Sequence, residues 1–135
     1  MITLDTSGIL AALNRADRDH ARARAALERE RGPLLLPAGI LAEAGYMIEV
    51  DLGGAVLRQF VADIEQGFYS LDCGESDMSR IGVLLERYAD LRLGLADVCV
   101  IACAERTGGR VLTFDERDFV PVAREGTITI VPSYD

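Results

Sequence analysis

Lysine is absent from the 135 residues, and all 14 basic side chains are arginine. This excludes chemistry that needs a catalytic or phosphate-gripping lysine, P-loop nucleotide binding included. There is one histidine, His20, and the three cysteines, Cys73, Cys99 and Cys103, show no CxxC spacing. A structural zinc site wants about four soft ligands, so zinc is a poor fit. The few cysteines suit a reducing compartment. Cys99 and Cys103, one helical turn apart, read as small buried hydrophobes. No apolar run reaches the ~18 residues of a membrane span. The opening Met-Ile-Thr-Leu-Asp lacks the basic start and long apolar stretch of a signal peptide. Repeats, low-complexity tracts and interdomain linkers are missing too. These absences predict a soluble, cytoplasmic protein forming a single domain over residues 1–135. Half of the residues (50%) are hydrophobic, so a substantial core is available.

What the chain has in excess is carboxylate. Its 22 acidic residues leave a net charge of −8, which disfavours nucleic acid unless several acids gather around a cation. One acid stands out. In Gly94-Leu95-Ala96-Asp97-Val98-Cys99-Val100-Ile101-Ala102-Cys103-Ala104 every other residue is apolar or Gly. On a helix Asp97 shares a face with Val100, Ile101 and Ala104, so it points toward the protein near the helix start. A buried carboxylate is costly unless it caps, pairs or binds a cation. The local sequence leaves dipole stabilisation and metal ligation both open for Asp97.

Taken in order, Ile2-Thr3-Leu4 reads as a short buried strand ended by Asp5-Thr6-Ser7. A helix follows from Gly8 to Asn14, and Asp5 or Ser7 is placed to cap it. A second helix is expected from about Asp17 to Arg31, with Ala21, Ala25 and Leu27 inward and its arginines on a solvated face. Leu34-Leu35-Leu36 is a strand stopped by Pro37. Ile40, Leu41, Ala44, Met47 and Ile48 then give helical spacing over Ala38 to Val50, and Glu43 beside that stripe is expected to face inward. After Leu52-Gly53-Gly54, a helix over Ala55 to Gln66 buries Val56, Leu57, Phe60, Val61 and Ile64. Phe68 to Leu71 is a third strand. Glu75 to Leu91 is helical, with Met78, Ile81, Leu84, Leu85 and Tyr88 as its stripe. The helix bearing Asp97 ends at Gly108-Gly109. Val111 to Phe114 is a fourth strand, halted by Asp115-Glu116-Arg117-Asp118-Phe119, and Thr127 to Val131 a fifth.

Strands alternating with helices imply a three-layer α/β/α fold with a mainly parallel sheet of about five strands. Function in such folds sits off the carboxyl ends of the strands. Asp5 and Asp115 end strands one and four, Glu43 lies early in the helix leaving strand two, and Asp97 begins a helix at the same edge. Four acids thus converge on one rim. Such a cluster repels itself, and a hard divalent cation, Mg²⁺ or Mn²⁺, resolves the repulsion with oxygen ligands. Ser7 and Thr113 hydroxyls are placed to orient the acids or their waters. Bound there, such ions activate water and clamp a phosphodiester. Other acidic α/β sites fail on the residues: a receiver domain needs a late Lys, and a haloacid-dehalogenase site needs Asp two after Asp5, where Ser7 stands.

These residues resemble the PIN domain, in particular the VapC-type toxin ribonucleases of bacterial toxin–antitoxin pairs. The carriers are Leu4-Asp5-Thr6-Ser7, Leu41-Ala42-Glu43-Ala44, Leu93-Gly94-Leu95-Ala96-Asp97 and Leu112-Thr113-Phe114-Asp115-Glu116-Arg117-Asp118-Phe119. The resemblance implies that Asp5, Glu43, Asp97 and Asp115 form an acidic quartet around Mg²⁺ or Mn²⁺, with Ser7 at the family's hydroxyl position. It further implies an endoribonuclease acting on an RNA such as tRNA or rRNA, a homodimer, and a VapB-like antitoxin. Many relatives carry His where this chain has Asp118, which leaves that residue as an extra outer ligand or a weakened RNA contact. Arg92 and Arg117 flank the acidic motifs as candidate phosphate contacts. Two alternatives stand beside this reading: an RNA-processing PIN nuclease without a toxin role, and a non-catalytic binding module with structural acids.

Overall fold

Short apolar runs between turn residues form the strands of the sheet. In the computed structural model, described here for residues 1–133, β1 (Ile2–Leu4) is buried throughout and flanked by β2 (Leu34–Pro37) and β4 (Arg110–Leu112). β3 (Ser70–Asp72) and β5 (Thr129–Val131) complete a five-stranded sheet in the order β3-β2-β1-β4-β5. Every pairing is parallel, with Thr3 opposite Leu35 on one side and Val111 on the other. All-parallel sheets need both faces covered, which explains why successive residues of the central strands are buried rather than every second one.

The crossovers supply that cover. α1 (Thr6–Leu13) and α2 (His20–Arg29) connect β1 to β2, and α3 (Leu41–Leu52) and α4 (Gly54–Glu65) connect β2 to β3. α5 (Met78–Arg87) and α6 (Leu95–Arg106) then carry the chain back past β2 and β1 to β4, and α7 (Glu116–Arg124) leads on to β5. Right-handed crossovers in opposite directions place α1–α4 on one face and α5–α7 on the other. The reversal falls between β1 and β4, so a crevice opens at their carboxyl ends. α6 is the central helix of its face: Val98, Val100, Ile101, Ala102, Cys103 and Ala104 are all buried. No helix of the described residues is long and apolar enough to cross a membrane.

Several elements differ from the sequence-based expectation. The α2 span is shorter, its inward residues are Ala23 and Ala26, and Ala21 is exposed. His20 opens that helix with Nδ1 2.8 Å from the Ala11 carbonyl. β3 begins two residues later than expected, because Tyr69 turns into the core against Phe60, with ring centroids 5.3 Å apart. Val61, Met78 and Leu85 of the expected stripes are exposed. The largest departure is α7. The sequence predicts Asp115 to Phe119 only as a strand stop, but Asp115 caps a nine-residue helix that buries Phe119, Val120 and Val122 and accommodates Pro121. Proline inside a helix argues against the element locally; packing of those three apolar side chains outweighs that cost. Of the cysteines, Cys103 is buried as expected, Cys99 half-buried and Cys73 exposed.

α1 passes very close to the end of β4. A Cβ on Gly8 would lie 2.4 Å from the Leu112 carbonyl oxygen and 2.8 Å from Leu112 Cγ. We expect Gly8→Ala to cost roughly 1–3 kcal/mol by forcing the helix off the strand, lowering the melting temperature by several degrees. Gly82→Ala is the contrast: it sits in open space on exposed α5 and should stabilise by about 0.5–1 kcal/mol through helix propensity. Equal melting temperatures for the two variants would contradict the close approach of α1 to β4.

Candidate active site

The crevice is built first from the exits of β1 and β4. The Asp5 backbone N–H donates to the Leu112 carbonyl (3.0 Å), which continues the β1–β4 pairing by one residue. Asp5 occupies the N-cap position of α1, yet its side chain makes no capping bond. Instead Asp5 Oδ2 accepts from Ser7 Oγ and from Thr113 Oγ1, both at 2.8 Å. The two hydroxyls lie 3.1 Å apart. Ser7 Oγ in turn accepts from the Phe114 N–H at 2.9 Å, and Thr113 Oγ1 from the Asp115 N–H at 3.0 Å. Asp5 is only 5% exposed. Burial pushes its carboxyl up, partly offset by the Thr113, Ser7 and Thr6 hydrogen bonds, while the nearby Asp115 charge adds to the rise. The hydroxyls thus hold an expensive group in one orientation.

Around Asp5 the structure gathers further acids. Asp5, Glu43, Asp97 and Asp115, with Thr6, Ser7, Leu10 and Met47, line a cleft of about 190 Å³. Asp97 stands in the first turn of α6, three residues after its N-cap Gly94. Burial, followed by Asp118 as hydrogen-bond partner and like charge, pushes its carboxyl up to about 7, and the Asp5 and Asp115 charges act the same way. Burial also raises Asp115, against the stabilising Asp118 N–H that bonds to Asp115 Oδ1 at 3.1 Å. Asp97, Asp115 and Asp118 each offer an oxygen within 4.8 Å of the other two.

Every candidate acid from the sequence therefore lies at one rim, but not as a symmetric quartet. The tightest group is Asp97, Asp115 and Asp118, with Asp5 beneath it, pinned by Ser7 and Thr113. Glu43 is a correction. The sequence predicts it facing inward, whereas it is exposed on α3, reaching the cleft from the opposite wall. For Asp118 the sequence leaves two roles open, and α7, absent from the sequence-based expectation, is what swings it toward Asp97. Thr6 carries no signal in the sequence, yet it lines the cleft, and its buried Oγ1 has no hydrogen-bond partner among the described residues. Arg92 is exposed in a left-handed conformation and does not line the cleft. Arg117 is exposed, and its charge acts on Asp115.

The donor set fits a hard divalent cation. All the gathered ligands are carboxylate oxygens, they repel one another as they stand, and none of Asp5, Asp97, Asp115 or Asp118 is neutralised by an arginine ion pair among the described residues. Several buried or half-buried acids elsewhere do have cationic partners: Asp72 and Asp77 with Arg106, Glu105 with Arg80, and Glu30 with Arg110 and the N-terminal amine. A larger cavity of about 680 Å³, lined by Arg24, Leu27, Pro33 and Phe68, lies at the opposite end of the strands. It collects no comparable group of acids.

Residues 2–125 match the PIN domain family. Ribonuclease VapC26 of Mycobacterium tuberculosis is 27% identical over 134 residues, spanning 96% of this chain and 98% of the relative. Two solved structures share the fold. Mycobacterium tuberculosis VapC20, described as a sarcin-ricin loop cleaving toxin, superposes with a TM-score of 0.79 at 17% identity, over 90% of this chain and 95% of that one. FitAcB from Neisseria gonorrhoeae superposes with a TM-score of 0.68 at 21% identity, over 96% of each.

The raised carboxyls set a direction for stability against pH. A folded-state pKa of about 7 for Asp97, against an ordinary value of 3.8, means the folded protein holds more protons than the unfolded chain between those values. Without divalent cations, stability should therefore fall as pH rises from about 4 to 7. Asp97→Asn removes one repelling charge and should melt several degrees above wild type at pH 8, with a shallower pH slope. Millimolar Mn²⁺ should raise the wild-type melting temperature and leave the variant little changed. Identical pH slopes, or equal shifts with Mn²⁺, would refute a repulsive cation-binding cleft.

Proposed function

The chain belongs to the PIN domain family, and from that premise we propose that it is a VapC-like endoribonuclease toxin, a single PIN domain hydrolysing RNA phosphodiester bonds with Mg²⁺ or Mn²⁺. The observation that carries this reading is the convergence of unneutralised carboxylates at the β1–β4 switch point, from four separate stretches of chain. RNA as the substrate rests on the relative named a ribonuclease and on the VapC20 toxin of like fold.

Asp97, Asp115 and Asp118 would hold the cation, with Asp5 beneath and Glu43 on the facing wall. Bound there, a divalent cation would supply an acidified water and positive charge opposite the scissile phosphate. The chain's own side chains do the rest. Ser7 and Thr113 donate to Asp5 Oδ2 and so fix which oxygen stays free. The Asp118 N–H does the same for Asp115 Oδ1. Asp97, whose carboxyl burial and then Asp118 push up to about 7, would lose its proton on becoming a ligand. None of these steps needs His, Lys or a catalytic Cys.

The toxin role adds a VapB-like antitoxin. Glu43, Tyr46, Met47 and Val50 follow helical i, i+3, i+4, i+7 spacing on α3. Tyr46 (67%) and Val50 (63%) are strongly exposed. An amphipathic antitoxin segment on this face would run toward the acidic cleft and could set a basic side chain there. A homodimer belongs to the same reading.

The test is cleavage of total bacterial RNA by the purified protein with Mg²⁺ or Mn²⁺, with EDTA, and by Asp97→Asn, with the new ends mapped. A few discrete cuts are expected, abolished by EDTA and reduced at least ~10²-fold by the substitution, the loss expected when a group stabilising the transition state is removed. Growth arrest on expression without a partner would carry the toxin role. RNA left intact under every metal condition would reject the nuclease and favour a binding module.

A further inference from the structure

Beside the acidic cleft, and sharing Asp115 with it, lies a second groove of about 310 Å³ between the approach to α2 and the first turn of α7. Its wall carries Arg18, Arg22 and Arg117 together with Phe114. Three arginines on one wall are a local concentration of cationic side chains on a chain of net charge −8.

The three arginines are not equivalent. Arg22 is braced: Nη2 donates to the Ser133 carbonyl at 2.9 Å, Nη1 to Asp19 Oδ1 at 3.4 Å, and the guanidinium carbon sits 5.5 Å from the Phe114 ring centroid. That makes a fixed, flat cationic surface backed by an aromatic ring. Arg18 has a side chain 92% exposed, and its contact with Asp19 is long, at 3.5 Å. Exposed pairs of that kind contribute little and give way to a better partner. Arg117 is exposed and has no ion pair among the described residues. Three acids share the wall: Asp19 braces Arg22, Asp115 also lines the adjoining cleft, and Glu116 is exposed.

We propose that this groove seats the backbone of a single-stranded RNA next to the bond that is cut, with Arg18 and Arg117 on its phosphates and Arg22, backed by Phe114, as the surface on which an unpaired base lies. The inference rests on the nuclease reading above and deepens it by fixing where the substrate runs. An acidic protein can hold a polyanion only where cations are concentrated locally, and this groove opens directly onto the cleft. Guanidinium forks grip phosphate oxygens and also stack on bases, which an ammonium does not do. Stacking on an aromatic-backed guanidinium favours an unpaired strand, because bases inside a duplex are covered by their neighbours.

The test uses the Asp97→Asn background, in which the strand stays uncut, and a fluorescent single-stranded RNA of mixed sequence beside its duplex form. Arg18→Ala and Arg117→Ala should each weaken single-strand binding about 5–10-fold and make the salt dependence shallower by about 0.7 in log–log slope for each phosphate no longer neutralised. Arg22→Lys, which keeps the charge, should still weaken single-strand binding and narrow the preference over duplex. Arg58→Ala on α4, outside the groove, should bind as its parent does. On the active background, Arg18→Ala should lower kcat/KM mainly through KM. If wild type cuts RNA while the groove variants keep parental affinity and salt slope, or Arg58→Ala loses as much, the groove assignment is wrong and the nuclease reading stands. If wild type neither binds nor cuts RNA, both fall together.

Discussion

A single buried carboxylate holds the site in register. Asp5 leaves β1 with its backbone still paired to β4 and its side chain accepting from Ser7 and Thr113, hydroxyls that are themselves tied to the backbone leaving β4. Removing a carboxylate from water is expensive, and the two hydroxyl donors offset part of that cost. The same bonds lock the exits of the two central strands together. Because the crossovers diverge on either side of this strand pair, the place where the sheet reverses direction is also the place where a charged group is fixed.

The remaining acids arrive from both faces of the sheet. Asp97 comes from α6, Asp115 and Asp118 from the start of α7, and Glu43 from α3. Burial first, and then the charges of neighbouring acids, pushes up the carboxyls of Asp5, Asp97 and Asp115. Elsewhere on the molecule the buried or half-buried acids Glu30, Asp72, Asp77 and Glu105 are each met by an arginine. Sites that violate the packing and charge rules of a fold are where function is expected, and here clustered carboxylates removed from water without a cationic partner gather at one rim.

Charge is also divided across that rim. On one side of Asp115 the wall is carboxylate; on the other it carries Arg18, Arg22 and Arg117. A net charge of −8 therefore says little about what the molecule holds, because the sum conceals that three arginines stand, among acids, on the wall next to the carboxylate cleft.

By itself the sequence determined the layer architecture, the parallel sheet and the rim at which the acids meet. Buried strands read as apolar runs, amphipathic helices read by their period, and parallel topology sends every strand exit to one edge. The tertiary structure decided the rest. Proline and a dense charge cluster hid α7, which forms because Phe119, Val120 and Val122 find a core to pack on. That helix brings Asp118 against Asp97. Whether Glu43 faces the core or the cleft depends on how α3 is rotated against its neighbours, since apolar and small residues flank it on both sides. Arg18 and Arg22 lie more than ninety residues from Phe114 in the chain, and only the packing of α2 beside the exit of β4 makes one wall of them. Local periodicity specifies an element's type; which of its side chains meet another element's is set by long-range packing.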